Sequence, residues 1–226
     1  MVTSGRISFD SMKWERLKAN WPAFVLVCIY LVGTLGFLIP AFPQNWADLT
    51  SINLLVSFGI LISCHPSIDR KFILSTLAIA VMGFMLEAVG VKTGLLFGSY
   101  QYGSILGLKV LDTPLMIGIN WIMLVYLSAY IGRKLSGNIL ISSIIAAFLM
   151  TGMDVLIEPF AIYFELWTWE NTHVPMRNYA MWFVASFAFN WIYQKVNPKS
   201  ENKAALPLFL SMAAFFLIVD LVVIWS

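Results

Sequence analysis

Apolar residues fall into seven runs, and the polar gaps between them alternate in character along the whole chain. The runs are Trp21–Ile39, Leu49–Cys64, Phe72–Val89, Pro114–Ile131, Ile139–Ile157, Tyr179–Tyr193 and Ala205–Trp225. A helix needs roughly 20 mostly apolar residues to cross a bilayer, and the runs approach that length, the second and sixth being short. Every other gap is basic. The N-terminal segment holds Arg6, Lys13, Arg16 and Lys18, and later gaps hold Arg70 with Lys71, Arg133 with Lys134, and Lys195, Lys199 and Lys203. Those are 11 of the 14 Lys and Arg residues, and only Lys92, Lys109 and Arg177 occupy the alternate gaps. Basic residues stay on the cytoplasmic side of a membrane. The pattern therefore predicts an all-α bundle of about seven transmembrane helices with the N-terminus cytoplasmic and the C-terminus outside. Removing one span would scramble the alternation after it.

Composition agrees with the pattern. The 226 residues are 60% hydrophobic and 12% charged, against about 25% charged in soluble domains, and mean hydropathy is +0.81. The chain reads as one integral-membrane domain over 1–226, with 1–20 a cytoplasmic segment and 21–226 the bundle. The first run has full spanning length and lacks a small-x-small cleavage site, so it predicts an anchor and not a signal peptide. Cys28 and Cys64 lie inside apolar runs, where a buried inert thiol is the ordinary reading. The net charge of +2 belongs to the inner face and suits anionic membrane lipid, not nucleic acid. The chain has no HExxH, CxxC, Walker-type or GxGxxG motif, so metal, nucleotide and dinucleotide chemistry have no support in the sequence.

Two outer gaps stand apart from the short inner ones. Gly90–Thr113 and Glu158–Asn178 are rich in aromatics with Gly or Pro, too apolar for a solvated tether. Irregular backbone at membrane depth persists only where protein buries it or where it lines a wet cavity. Both are therefore expected to re-enter over the bundle as a lid, and function should lie at that end. Carboxylates at bilayer depth are costly and mark pathways or reactions. Glu87 lies near the outer end of the third run. Asp154 and Glu158 lie near the outer end of the fifth, four residues apart and so on one helical face. Like charges gathered at low dielectric repel one another, so one of these acids is expected to hold a proton at neutral pH. Asp112 and Asp220 reach a similar depth, although for them a helix-end role facing headgroups is the first reading. Tyr100, Tyr102, Trp121, Trp167, Trp169, Tyr179 and Trp182 would serve equally as an interfacial belt or a binding surface. Glu165 and Glu170 read as solvated or paired with Arg177. His65 reads as structural, and His173, near Arg177, as a candidate modulator of proton supply.

The stretch Glu87-x-x-Gly90-x-x-Thr93-Gly94-x-x-Phe97-Gly98-x-Tyr100-x-Tyr102, followed by Leu106-Gly107 and Pro114, resembles a signature of the carotenoid biosynthesis membrane proteins that include carotenoid 1',2'-hydratases and bisanhydrobacterioruberin hydratases. A second, looser signature comprises Asp154, Glu158-Pro159, Trp167-x-Trp169, Pro175 and Asn178, with Trp182 after it. Around the paired tryptophans this chain carries Thr168 and Glu170-Asn171-Thr172-His173 in place of a second glycine-rich turn. The likeness covers about 100 residues in the middle of the chain. It implies cofactor-independent addition of water to the terminal C1=C2 double bond of an acyclic carotenoid, in a prokaryotic cytoplasmic membrane and in association with other carotenoid-pathway enzymes. Asp154 or Glu87 would donate the proton, the partner carboxylate would take one from water, and Glu158 would tune the pair. Tyr100, Tyr102, Trp121, Trp167 and Trp169 would wall the end-group pocket, and Asn178 or Thr93 would bind water. A cyclase or isomerase using the same protonation step and a proton-coupled transporter are the alternatives. A retinal photoreceptor is disfavoured, because the last run has no lysine.

Overall fold

The computed structural model describes residues 9–39, 44–171, 173–197 and 201–224. Arg6, Thr172, Lys199 and Trp225 lie outside the described residues, as do the side chains of Lys13, Arg16 and Lys18. The described residues form seven α-helices: α1 (Phe9–Leu38), α2 (Thr50–Ser63), α3 (Arg70–Thr93), α4 (Met116–Leu135), α5 (Ile139–Tyr163), α6 (Met176–Val196) and α7 (Ala205–Val219). A 3-10 turn, Gln44–Leu49, leads into α2, and a π-helical turn, Asp220–Ile224, continues α7.

Several boundaries follow from local chemistry. Asp69 and Asn138 are N-caps whose side chains accept backbone N–H bonds in the first turns of α3 and α5, donors that an uncapped helix leaves unpaired. Gly94 ends α3 in the left-handed region at φ 63°. Among the described residues six helices are long and apolar enough to cross a membrane, namely all but α6, with the second span taking in the preceding 3-10 turn. All seven expected runs are thus helical, and only the sixth is less apolar than expected. α6 falls short because it buries Asn178, Ser186, Asn190 and Gln194 and carries Arg177 and Lys195 near its ends.

α4 is the centre of the bundle. Of its span 67% is buried, against 17–39% for the other five, and it packs against α2, α3, α5, α6 and α7. The outward faces are apolar, with Phe24, Leu77, Phe148 and Leu210 exposed, as lipid contact allows. At one end the helix termini carry Arg70, Lys71, Arg133, Lys134 and Lys195, and the connection into α7 carries Lys203. Polar bonds tie that end together: Lys134 meets Glu201 at 3.0 Å, and the Asn202 amide donates to the Leu61 carbonyl and the Tyr126 hydroxyl, each at 2.8 Å. His65 Nδ1 also meets the Tyr126 hydroxyl at 2.7 Å, in keeping with a structural role, and burial lowers its pKa.

The opposite end holds the two long connections. They contain four short strands: β1 (Tyr100–Tyr102), β2 (Lys109–Val110), β3 (Thr113–Pro114) and β4 (Trp167–Trp169). β1 and β4 pair antiparallel, with Tyr100 opposite Trp169, Gln101 opposite Thr168 and Tyr102 opposite Trp167. β2 and β3 form a hairpin whose two turn residues, Leu111 and Asp112, both have positive φ, as a two-residue hairpin turn requires. The loops expected to be irregular thus carry short strands and are joined to each other across the end of the bundle.

Candidate active site

Alternate residues of a strand share a face. In the β1–β4 pair that rule puts Tyr100, Tyr102, Trp167 and Trp169 on one side, and all four reach carboxylates below. The Tyr100 and Tyr102 hydroxyls donate to Glu87 Oε2, the second at 3.1 Å. The Trp167 and Trp169 indoles both donate to Glu158 Oε2 at 3.0 Å. From α4 the Trp121 indole donates to Glu87 Oε1 at 3.1 Å. Asn178, near the start of α6, donates its amide to Asp154 Oδ2 at 2.9 Å and to Glu158 Oε1 at 3.4 Å. Four helices and one strand pair therefore converge on three acids.

Glu87, Asp154 and Glu158 are buried, with 4%, 2% and 3% of their surfaces exposed. Among the described residues no ion pair reaches them. A buried carboxylate without a cation is costly unless donors surround it. Glu87 and Glu158 each receive three side-chain donors, while Asp154 receives one. The three carboxyls also act on one another electrostatically. Burial, followed by the nearby Glu87, raises the pKa of both Tyr100 and Tyr102, so the phenols remain protonated and serve as donors.

The aromatic walls are packed closely enough to fix these bonds. Trp121 stacks on Trp182 with centroids 4.4 Å apart and planes at 11°. It can approach α3 because residue 83 is glycine: a Cβ there would sit 2.4 Å from the Trp121 ring. Gly98, at φ 122°, is similarly hemmed in, its missing Cβ lying 2.7 Å from Pro175 and 3.1 Å from Trp169.

Beneath the strands is a cavity of about 20 Å³ lined by the three acids and the aromatics that bind them. It has room for a single water, which needs roughly 10–15 Å³. Beside it lies an apolar cavity of about 490 Å³ lined from α1, α2, α4, α5 and α7, within the usual range for small-molecule sites of roughly 300–1,000 Å³. Ile117, Asn120, Ile157 and Trp167 line both. The polar pocket therefore borders a chamber suited to hydrocarbon.

Not every expected residue joins this site. Thr93 is exposed and bonds the Val89 carbonyl at 2.7 Å and the Leu95 N–H at 3.2 Å, so it finishes α3 and lies away from water in the pocket. Asp112 is a hairpin-turn residue facing solvent, 3.4 Å from Lys92. His173 is exposed and contacts the Asn171 carbonyl at 2.7 Å. Arg177 is exposed and donates to the Gly94 carbonyl at 2.8 Å, holding the start of α6 to the end of α3. Glu165 and Glu170 are solvent-facing. Asp220 is buried in the π turn, one carboxyl oxygen without a partner, and lines neither cavity. The expected gathering of up to five acids is thus a gathering of three. Asn120 and Ile157, absent from the sequence reading, belong to the walls. An isolated amide within the apolar run Pro114–Ile131 is the available signal for Asn120. Among the described residues no group of three or more His, Cys, Asp or Glu side chains is arranged to hold a metal ion.

A multi-pass helix bundle with a buried carboxyl pocket beneath an aromatic strand pair defines the class as an integral membrane protein. Residues 49–226 match the family model described as carotenoid biosynthesis protein, and the chain belongs to that family. It is also 30% identical, over 131 residues, to the bisanhydrobacterioruberin hydratase of Haloarcula japonica. That alignment takes in 53% of this chain and 44% of the relative, so the likeness spans under half of the relative's own length. No solved structure matches the chain.

Proposed function

We propose that the protein is a cofactor-independent hydratase that adds water across the terminal C1=C2 double bond of an acyclic carotenoid. The observation that carries this reading is the adjacency of a carboxyl pocket with room for one water to an apolar cavity of about 490 Å³. The family and the hydratase relative support it. The site would face the extracytoplasmic side of a prokaryotic cytoplasmic membrane, where the sequence puts the gaps poor in Lys and Arg.

The chemistry suits the residues. A trisubstituted alkene is hydrated by proton transfer to the less substituted carbon, C2, leaving a tertiary cation at C1 that water captures. Asp154 has one donor and no cation, whereas Glu87 and Glu158 have three donors each, so Asp154 is the acid that carries the transferable proton. General acid catalysis by a positioned carboxyl is worth about 10²–10⁴-fold. Aromatic faces around the cavity stabilise the developing cation through their quadrupoles. The Glu87 carboxylate takes the proton that the captured water loses. Glu158 holds the Trp167 and Trp169 indoles, shares Asn178 with Asp154, and so fixes the donor's position.

The test is expression in cells that accumulate an acyclic carotenoid, followed by mass analysis of the pigments. The wild-type product should gain the mass of one water, and Glu87→Gln and Asp154→Asn should each cut that product at least about 100-fold while the protein still folds in membranes. Full activity in both variants sinks the mechanism. A converted product of unchanged mass would favour cyclisation, in which the cation is quenched internally.

A further inference from the structure

Asn120 is the one polar residue shared by the linings of the two cavities. It precedes Trp121 on α4, so its backbone is anchored where Trp121 is stacked on Trp182 and bonded to Glu87. Its own carboxamide is half-buried and, among the described residues, makes no hydrogen bond. That contrasts with the pocket's other amide, Asn178, which is committed to Asp154 and Glu158. A carboxamide has two donors and two acceptor sites, and leaving them unmade in a low-dielectric interior is costly. Nearby the structure offers a hole of about 20 Å³ that accommodates one water.

We propose that Asn120 binds the water that is added, holding it at the boundary between the acid pocket and the apolar cavity so that its oxygen faces the C1 cation. This rests on the hydratase reading. The step balances simply. The C1=C2 electron pair takes the proton from a carboxyl to form the C2–H bond, a lone pair of the held water forms the C1–O bond, and the oxonium proton returns to a carboxylate. Asn120 itself neither gives nor takes a proton. Its Oδ1 accepts a hydrogen from the water and turns a lone pair toward C1. The cation has a competing fate, loss of a proton to regenerate an alkene. Asn120 therefore sets the partition between alcohol and alkene without controlling the protonation that comes first.

That partition provides a measurement separate from overall activity. In D2O an uncaptured cation that loses a hydrogen other than the deuteron just added leaves deuterium in recovered alkene, either substrate or isomer. The ratio of alcohol to deuterated alkene should fall at least tenfold in Asn120→Leu and in Asn120→Ala, and should recover in part in Asn120→Ser, which restores a polar group. A variant that is merely damaged loses both products in proportion and leaves the ratio unchanged. An unchanged ratio in whichever of the Leu and Ala variants folds overturns the role of Asn120. The hydratase reading fails differently: wild-type protein forms no alcohol, or Glu87→Gln and Asp154→Asn form it at the wild-type rate.

Discussion

Glu87 illustrates how one buried acid can be held by chemistry that is almost entirely aromatic. Its three donors are two phenols and an indole, and Trp121 does double duty through its stack on Trp182. Replacing Trp121 by Phe keeps an aromatic ring against Trp182 and removes the N–H. A hydrogen bond to a charged group contributes about 1.5–3 kcal/mol, which corresponds to roughly a tenfold to hundredfold change in rate if the bond matters equally in the transition state. Trp121→Phe should therefore lower carotenoid turnover by about that factor with little change in thermal midpoint, checked by product formation and by melting in detergent. Wild-type turnover would mean that the indole only packs. At this scale the sequence was informative where a residue type is expensive at its depth. Glu87, Asp154 and Glu158 stood out because carboxylates in apolar runs need a reason, and the four-residue step between the last two gave their shared face. Thr93, Asp112, His173 and Arg177 lie near them in sequence but are turned away by the end of a helix or the tip of a hairpin, and no periodicity reports that. Asn120 carries no comparable signal, because a single amide in an apolar run resembles ordinary tolerance.

The strand pair is the element that converts two separated loops into one lid. Three residues per strand give too short an alternation to distinguish from irregular aromatic sequence, so the Tyr-x-Tyr and Trp-x-Trp pairs were legible as a surface and the register between them was not. Once paired, strand geometry aims all four rings the same way. Gly98 is the point where β1, β4 and the start of α6 come together, its φ of 122° and its crowding by Pro175 and Trp169 both excluding a side chain. Gly107 shares a positive φ, 81°, yet has nothing within 4 Å of the missing Cβ. The comparison separates backbone strain from steric displacement. An L-residue in such a conformation costs about 1–3 kcal/mol, so Gly107→Ala should lower the melting temperature modestly and leave turnover near wild type. Gly98→Ala should add the cost of moving Trp169, lowering the melting temperature further and cutting turnover by tenfold or more as the indole leaves Glu158. Equal effects of the two substitutions on turnover would show that the lid does not need this close approach.

For the whole molecule, alternation of basic and aromatic connections predicted which helix ends share a face of the bundle, because topology leaves adjacent connections no choice but opposite ends. What hydropathy could not convey is that α4 lies at the centre and that α6 buries polar residues; both are properties of packing between helices, whereas a run of apolar residues looks the same whether it faces lipid or protein. The arrangement leaves the large cavity bounded by α1 and α2 on one side and by the acid pocket on the other. Cys28 lines this cavity and Cys64 does not, so the two free thiols report on it separately. A long hydrocarbon occupying the chamber would cover Cys28, and its reaction with a small membrane-permeant thiol reagent should slow at least severalfold in membranes loaded with the acyclic carotenoid. The rate at Cys64 should stay unchanged, and Cys28→Ser and Cys64→Ser assign the two signals. The hydrated product, which carries a polar terminus into an apolar space, should protect Cys28 less than the substrate does. Equal labelling of Cys28 with and without carotenoid would mean that the substrate reaches the acids by a route other than this cavity, leaving the pocket chemistry to be tested on its own through Glu87 and Asp154.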